Sequence, residues 1–305
     1  MACGMKYLIY LSSQGCFDRP NTKILDIGTQ CLLSATVEDL RLFIDKHGKY
    51  PSENILDDIE KLSYHSYIRA GERTSYLSEL LSLTNIAYTS YDVCAGLSTH
   101  LFDLNKHRTP ADHEKNFDVV LNFGTTEHIV NQLNGFKVIH DATAEGGFVF
   151  HQVPSTGYVN HGYFTYHYPF FVDIATENDY EIIDYWWTFG GASDLISSEW
   201  ADVRLYDYPD LINSDTERLS IGKIPNSVIN VLMKKMSHKP FRLPLELATA
   251  HSDLTISRNS NVASGYNSSS LSFIELEQFS FQELALEIVN KTMKRIKRFK
   301  KLAIK

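Results

Sequence analysis

The chain reads as an α/β protein: a doubly wound, mostly parallel seven-stranded sheet with an inserted helical cap and a C-terminal helix. Three observations predict this. Short apolar runs of strand type alternate with longer helical patterns, as happens when helices cover both faces of a parallel sheet. About sixty residues separate the first two of those runs, where a single crossover helix needs about twenty, so helical sequence is inserted there. Beyond residue 272, Leu284, Ile288, Met293, Ile296 and Leu302 recur at roughly helical spacing among basic residues.

In chain order, the strand candidates are Lys23 to Ile27, Ile86 to Tyr91, His100 to Phe102, Phe117 to Asn122 and Gly147 to His151, followed by Tyr180 to Thr188 and Ser227 to Met236. The insertion, at about 34–84, holds three helical patterns. Thr36 can cap Val37 to Lys46, Ser52 can cap Glu53 to Leu62, and Arg73 to Leu83 leads into the second strand. One of them is expected to be the crossover helix and the others a cap. Residues 1–248 therefore form the main domain. The stretch 249–271 is a Ser/Asn-rich linker or loop whose core, SRNSNVASGYNSSS, buries too little apolar surface to order itself. Residues 272–305 form the basic terminal helix.

With 43% hydrophobic and 22% charged residues the composition is that of a globular protein, and no apolar run reaches the roughly 20 residues that span a bilayer. The apolar stretch Tyr7 to Leu11 is too short for a secretory segment, so a cytoplasmic location is expected. The four cysteines show no metal-binding spacing and are assigned no chemistry. Charge is segregated: the last fifteen residues carry eight Lys/Arg and no acid, so the net charge of −8 becomes −16 without them. An acidic body argues against broad binding to nucleic acid. The basic tail permits a peripheral contact with a membrane or an acidic partner. Oligomeric state is not legible.

The chemistry-bearing segments follow in order. KILDIGTQ, residues 23–30, is a strand that ends in an acid and turns on Gly28, where the missing Cβ admits a ligand close to the backbone. Asp92 closes the second strand, where an acid can accept both ribose hydroxyls, and Asp103 closes the third. FDVVLNFGTTEHI, residues 117–129, is a fourth strand running into a polar loop, and DATAEGGFVF, residues 141–150, is a helix end, a Gly-Gly turn and a fifth strand.

This order resembles the class I S-adenosylmethionine-dependent methyltransferases, a Rossmann-like family, over roughly residues 20–240. The resemblance implies S-adenosylmethionine as cofactor. Its methionine end would lie at Asp26, Gly28, Thr29 and Gln30, its ribose at Asp92 and its adenine at Asp103, with Asn122, Phe123 and Gly124 beside the transferred methyl. Family members carry three spaced glycines in the first turn. Here Gln30 and Leu32 stand at the second and third, and side chains there are expected to narrow the backbone's approach. The two late strands match the family's habit of closing the sheet with a pair, one of them antiparallel.

HQVPSTGYVNHGYFTYHYPFF, residues 151–171, follows the fifth strand at the carboxyl edge, where open α/β sheets place ligands. Its P-x-x-G-Y-x-N-H-G-Y-F segment is similar to one in methyltransferase-like proteins of surface-glycan gene clusters. Transfer of a methyl to a hydroxyl gains from a base within hydrogen-bond reach, and histidine has a suitable pKa. His161 is the first candidate and His151 the second. Glu127 and His128 are candidates for lining the acceptor pocket.

A metal site built from His151, His161 and His167 has nonspecific spacing, and no metal is expected. The leading expectation is O-methylation of a small-molecule or glycan-type acceptor. One alternative is a nucleic-acid methyltransferase using the basic tail, although the loop after the fourth strand has Asn122-Phe123-Gly124-Thr125 in place of an Asn-Pro-Pro-aromatic tetrad. Another is a non-catalytic scaffold of the same fold, motivated by Gln30 and Leu32. A nicotinamide-dependent dehydrogenase is a weaker rival, since the GxGxxG turn is missing.

Overall fold

Apolar residues alternate along the central strands and so divide the interior into two layers. In the computed structural model, Ile24, Val119, Leu121, Phe150 and Leu232 face one side of the sheet, and Leu25, Ile27, Val120, Val149 and Val231 face the other. The structure describes residues 2–67, 71–158, 161–189 and 226–244. The linker at 249–271 and the basic helix at 272–305 lie outside the described residues, as does the tail contact expected of them.

The chain begins with β1 (Ala2–Gly4) and α1 (Met5–Ser13), then β2 (Lys23–Ile27) and β3 (Cys31–Leu33). The insertion supplies α2 (Val37–His47), a short 3-10 turn (Ser52–Ile55), α3 (Leu56–His65) and α4 (Leu77–Ser82). There follow β4 (Ala87–Asp92), β5 (Thr99–Leu101), β6 (Phe117–Phe123), α5 (Gln132–Ala142), β7 (Thr143–Thr156), α6 (Tyr168–Asn178), β8 (Tyr180–Phe189) and β9 (Ser227–Lys235).

Helix starts follow from their capping residues. Thr36 accepts the amide of Asp39 at 3.1 Å and so opens α2, with Glu38 and Asp39 in the first turn and Lys46 and His47 in the last. Asn131 does the same for α5 through the amide of Asn134, at 3.2 Å. Each such cap contributes about 1 kcal/mol. Ser52 opens a 3-10 turn instead of capping a helix, and α3 starts at Leu56.

Seven strands form one sheet in the order β5-β4-β2-β6-β7-β9-β8, all parallel except β9, which runs antiparallel to both β7 and β8. This is the expected Rossmann-like doubly wound sheet. β1 and β3 form a separate parallel pair. Helices α1 to α4 contribute Leu8, Phe43, Ile59 and Leu80 to a single buried cluster, so the insertion thickens this layer, with α4 leading into β4. Helices α5 and α6 cover the other face through Phe136, Ile139, Phe171 and Ile174. Among the described residues no helix is long and apolar enough to cross a membrane.

The chain winds outward from β2 through β4 to β5, then returns to β6 on the opposite side of β2. The carboxyl ends of β2 and β6 therefore flank the topological switch point, where open sheets of this kind leave a crevice.

Candidate functional site

At the end of β2 the chain turns on Gly28 at φ +97°, a conformation that L side chains rarely adopt, and the Gly28 amide donates to Tyr91 O at 2.8 Å. The next amide, Thr29 N, donates to Asp92 Oδ2 at 2.8 Å, while Cys94 N donates to Oδ1 at 2.9 Å. One carboxylate thus ties the end of β4 to the turn after β2. The Thr29 hydroxyl meets those of Ser90 and Thr99 at 3.2 and 3.3 Å. The Gln30 amide folds back to donate to Gly28 O at 3.0 Å and is fully buried, as is Leu32. Both side chains standing where glycines were expected are buried, the Gln30 amide lying against the backbone of the Gly28 turn itself.

Two of the expected cofactor contacts, Asp26 and Asp103, have partners within the protein. Asp26 lies beneath the turn, its carboxyl interacting with the Gln30 backbone and with Asp92. Strand alternation turns its side chain to the face that α1 covers, where it is fully buried and accepts from Tyr88 OH at 2.8 Å. Burial pushes its pKa well above the usual carboxylate range. Asp103 pairs with Lys106 at 3.0 Å and accepts the amide of Asn105 at 2.9 Å, and these contacts lower its pKa.

At the end of β6, Thr125 Oγ1 donates to Ile27 O and so locks this loop against β2. Asn122 is a third such residue. It is fully buried below the loop, its amide donating to Thr126 Oγ1 at 2.9 Å and to His151 Nδ1 at 3.0 Å. Phe123 is 1% exposed and its ring packs against Tyr7 and Phe150, yet it and Gly124 border open space at the loop. They line a cavity of about 180 Å³ with Glu127, Gln152, Tyr158 and His161.

His161 lies at this cavity with its side chain 45% exposed, Nε2 standing 3.5 Å from Glu127 Oε1. Its ring centroid is 4.8 Å from that of His128 and 5.3 Å from that of Tyr158. His151 does not face the cavity. It is 1% exposed between Phe136 and Phe171, and burial lowers its pKa to about 3, so it is ruled out as the base. His167 stands outside the cluster, at the N-terminus of α6.

The loop that carries His161 is held by backbone. Tyr163 N donates to Glu127 O at 2.8 Å, and Phe164 N to the same oxygen at 3.2 Å. A Cβ on Gly162 would lie 2.9 Å from Glu127 Cγ and 3.0 Å from Glu127 O, so only glycine allows this approach. Glu127 has no exposed surface, and neither carboxylate oxygen has a hydrogen-bond partner among the described residues. Burial lowers the pKa of His128; Glu127 acts against this shift and His161 adds to it. Burial, with Glu127 adding to it, raises Tyr158 to about 12, so its phenol stays protonated at neutral pH.

Glu127 and His128 were legible as candidate pocket residues. Gln152 and Tyr158 were not singled out, although both lie in the histidine- and tyrosine-rich segment whose place at the carboxyl edge was expected. The need for glycine at 162 left one signal, its position between His161 and Tyr163 in that segment.

No protein-family model matches the chain, and no curated protein does. Among solved structures, it is similar to a SAM-dependent methyltransferase from Archaeoglobus fulgidus, at 12% identity over 76% of this chain and 94% of that one, with a TM-score of 0.36. It is also similar to the O-methyltransferase of a trans-AT PKS multienzyme from Brevibacillus brevis, in complex with S-adenosyl-L-homocysteine, at 13% identity over 70% and 67% of the two chains and a TM-score of 0.35. A third likeness is to the 1,6-didemethyltoxoflavin-N1-methyltransferase of Burkholderia thailandensis, at 11% identity over 76% and 78%, with a TM-score of 0.36.

Proposed function

We propose that this chain is an S-adenosylmethionine-dependent methyltransferase acting on an oxygen of a small-molecule or glycan-type acceptor, with His161 as the base. The observation that carries the reading is the convergence of the Gly28 turn and Asp92 through the Thr29 amide, at the switch point of the sheet. The residues fit the cofactor. Gly28 has no side chain to keep a ligand from the backbone, and each Asp92 oxygen keeps a lone pair for a ribose hydroxyl. The cavity at Glu127 is smaller than the roughly 300–1,000 Å³ of a site enclosing a drug-sized ligand. It suits the reacting end of the cofactor and the acceptor hydroxyl, not the whole cofactor.

When bound, S-adenosylmethionine supplies a methyl group on a sulfonium. The chain supplies position and proton acceptance. Phe123, Gly124 and Tyr158 wall the cavity, and His161 takes the hydroxyl proton as the oxygen attacks. The acidic body supports a small or glycan acceptor over nucleic acid.

Calorimetric titration of the full chain with S-adenosylmethionine and S-adenosylhomocysteine should give saturable one-to-one binding. Absence of binding to well-folded protein would overturn the reading and favour a scaffold. Asp92→Asn puts an amide N–H where one of two backbone amides now finds an acceptor. It should weaken S-adenosylhomocysteine binding at least about tenfold, the equivalent of losing one hydrogen bond to a charged group of about 1.5–3 kcal/mol. Unchanged affinity in Asp92→Asn would remove Asp92 from the site.

A further inference from the structure

We infer that Glu127, His128 and His161 form a binding site for a divalent transition-metal cation, with zinc as the representative ion. One ligand atom from each lies within 4.8 Å of the other two. The best-placed pair, Glu127 Oε1 and His161 Nε2, is 3.5 Å apart. Bonds of about 2.0–2.1 Å in a tetrahedral shell put neighbouring ligand atoms about 3.4 Å apart. The first pair therefore already stands at ligand spacing, and the others close by about 1 Å through side-chain rotation. His161 has the freedom for this because nearly half of its side chain is exposed.

The second observation is the state of Glu127. Its side chain has no exposed surface, and both oxygens lack a hydrogen-bond partner among the described residues while lining the cavity. A carboxylate shut away from water is strongly unfavourable unless a cation or donors compensate it. The His161 nitrogen, 3.5 Å from Oε1, is close to one of the two oxygens only. A dication between the three side chains would satisfy the carboxylate and both rings at once.

Ligand type selects the ion. Two imidazoles and one carboxylate suit zinc, iron, cobalt or nickel, whereas magnesium and calcium prefer shells of oxygen. Three protein ligands leave a fourth position, and the residues themselves line the cavity, so that position faces the space assigned to the acceptor. In the metal-loaded protein His161 is a ligand, and a hydroxyl bound at the open position is acidified and gives its proton to water. The site stands on these residues alone; only this use of it rests on the methyltransferase reading.

The test is titration of chelator-treated full chain with zinc, read by calorimetry and by the shift in melting temperature. Wild-type protein should bind one ion per chain. Glu127→Gln and His161→Ala should each weaken zinc binding at least about tenfold, while His167→Ala should leave it unchanged. Absence of binding, or binding indifferent to both ligand variants, would overturn the inference. His161 is exposed enough that its variant stays informative if Glu127→Gln fails to fold. S-adenosylhomocysteine affinity, measured in parallel, separates the two readings: binding without zinc sinks only the metal site, and zinc without binding sinks only the methyltransferase.

Discussion

Replacing His161 with alanine is expected to slow methyl transfer by about 10²–10⁴-fold, the range seen when a positioned proton acceptor is removed. Affinity for S-adenosylhomocysteine should stay within about twofold, since the cofactor contacts lie at Gly28 and Asp92. The ring is nearly half exposed, so its loss opens no core cavity and should change stability by no more than about 0.5 kcal/mol. Steady-state turnover and calorimetry on one preparation check all three. Turnover within about tenfold of wild type would sink the assignment. Treating wild-type protein with a chelator separates the two ways the ring can act. Turnover is unaffected if the ring itself takes the proton, and the loss is reproduced if the ring works by holding an ion.

The second large effect is on stability in acid. His140 and His151 are buried neutral, with pKa values lowered to about 4 and about 3, chiefly by burial. His140 is held at both nitrogens, Nε2 by Lys239 O at 2.7 Å and Nδ1 by Tyr180 OH at 3.0 Å. Below the unfolded histidine pKa of about 6.5 the unfolded chain takes up protons that the folded one refuses, so stability falls as pH falls. At 1.36 kcal/mol per unit for each group, the two together should remove about 4 kcal/mol between about pH 7 and pH 5. That is a large part of the 5–15 kcal/mol typical of a domain.

Asp26 works in the opposite sense. Its raised pKa makes the folded state the better proton binder, so its contribution weakens as pH rises from the ordinary carboxylate pKa to its own raised value. The histidine effect is therefore measured cleanly in an Asp26→Asn background, which should itself be more stable than wild type at neutral pH. Adding His151→Gln should remove about 2 kcal/mol of the pH dependence. Urea unfolding at the two pH values checks this, and a flat profile in Asp26→Asn would contradict it.

Much of the sheet was legible in the sequence because a strand buried on both faces leaves a dense apolar run between polar turns. At Lys23–Ile27 reading and structure agree residue for residue. β1 and β3, three residues each, are too short to show any period. The helix Tyr168–Asn178 was hidden by its aromatic start; its usable signals were Pro169 in the first turn and Asp179 in the left-handed cap.

Place in the fold was legible where chain position alone decides it, as at Gly28 and Asp92 on neighbouring strand ends and His161 beyond the fifth strand. It was not legible where side-chain direction decides. Asp26 and Asn122 were chosen for lying near strand ends, but both side chains point into the packed layers, and only coordinates reveal that Gln30 does the same.

The backbone clamp on Glu127 bears on how the site opens. Because the loop is held at this point by two amides on one carbonyl, the backbone beside His161 parts from Glu127 only where both bonds break, whatever the rotation of the ring. The Tyr163 amide is then a natural clock for the site. Its rate of hydrogen exchange counts excursions of the loop directly, and slower exchange on adding a ligand would report capture in the closed state without any assay of chemistry.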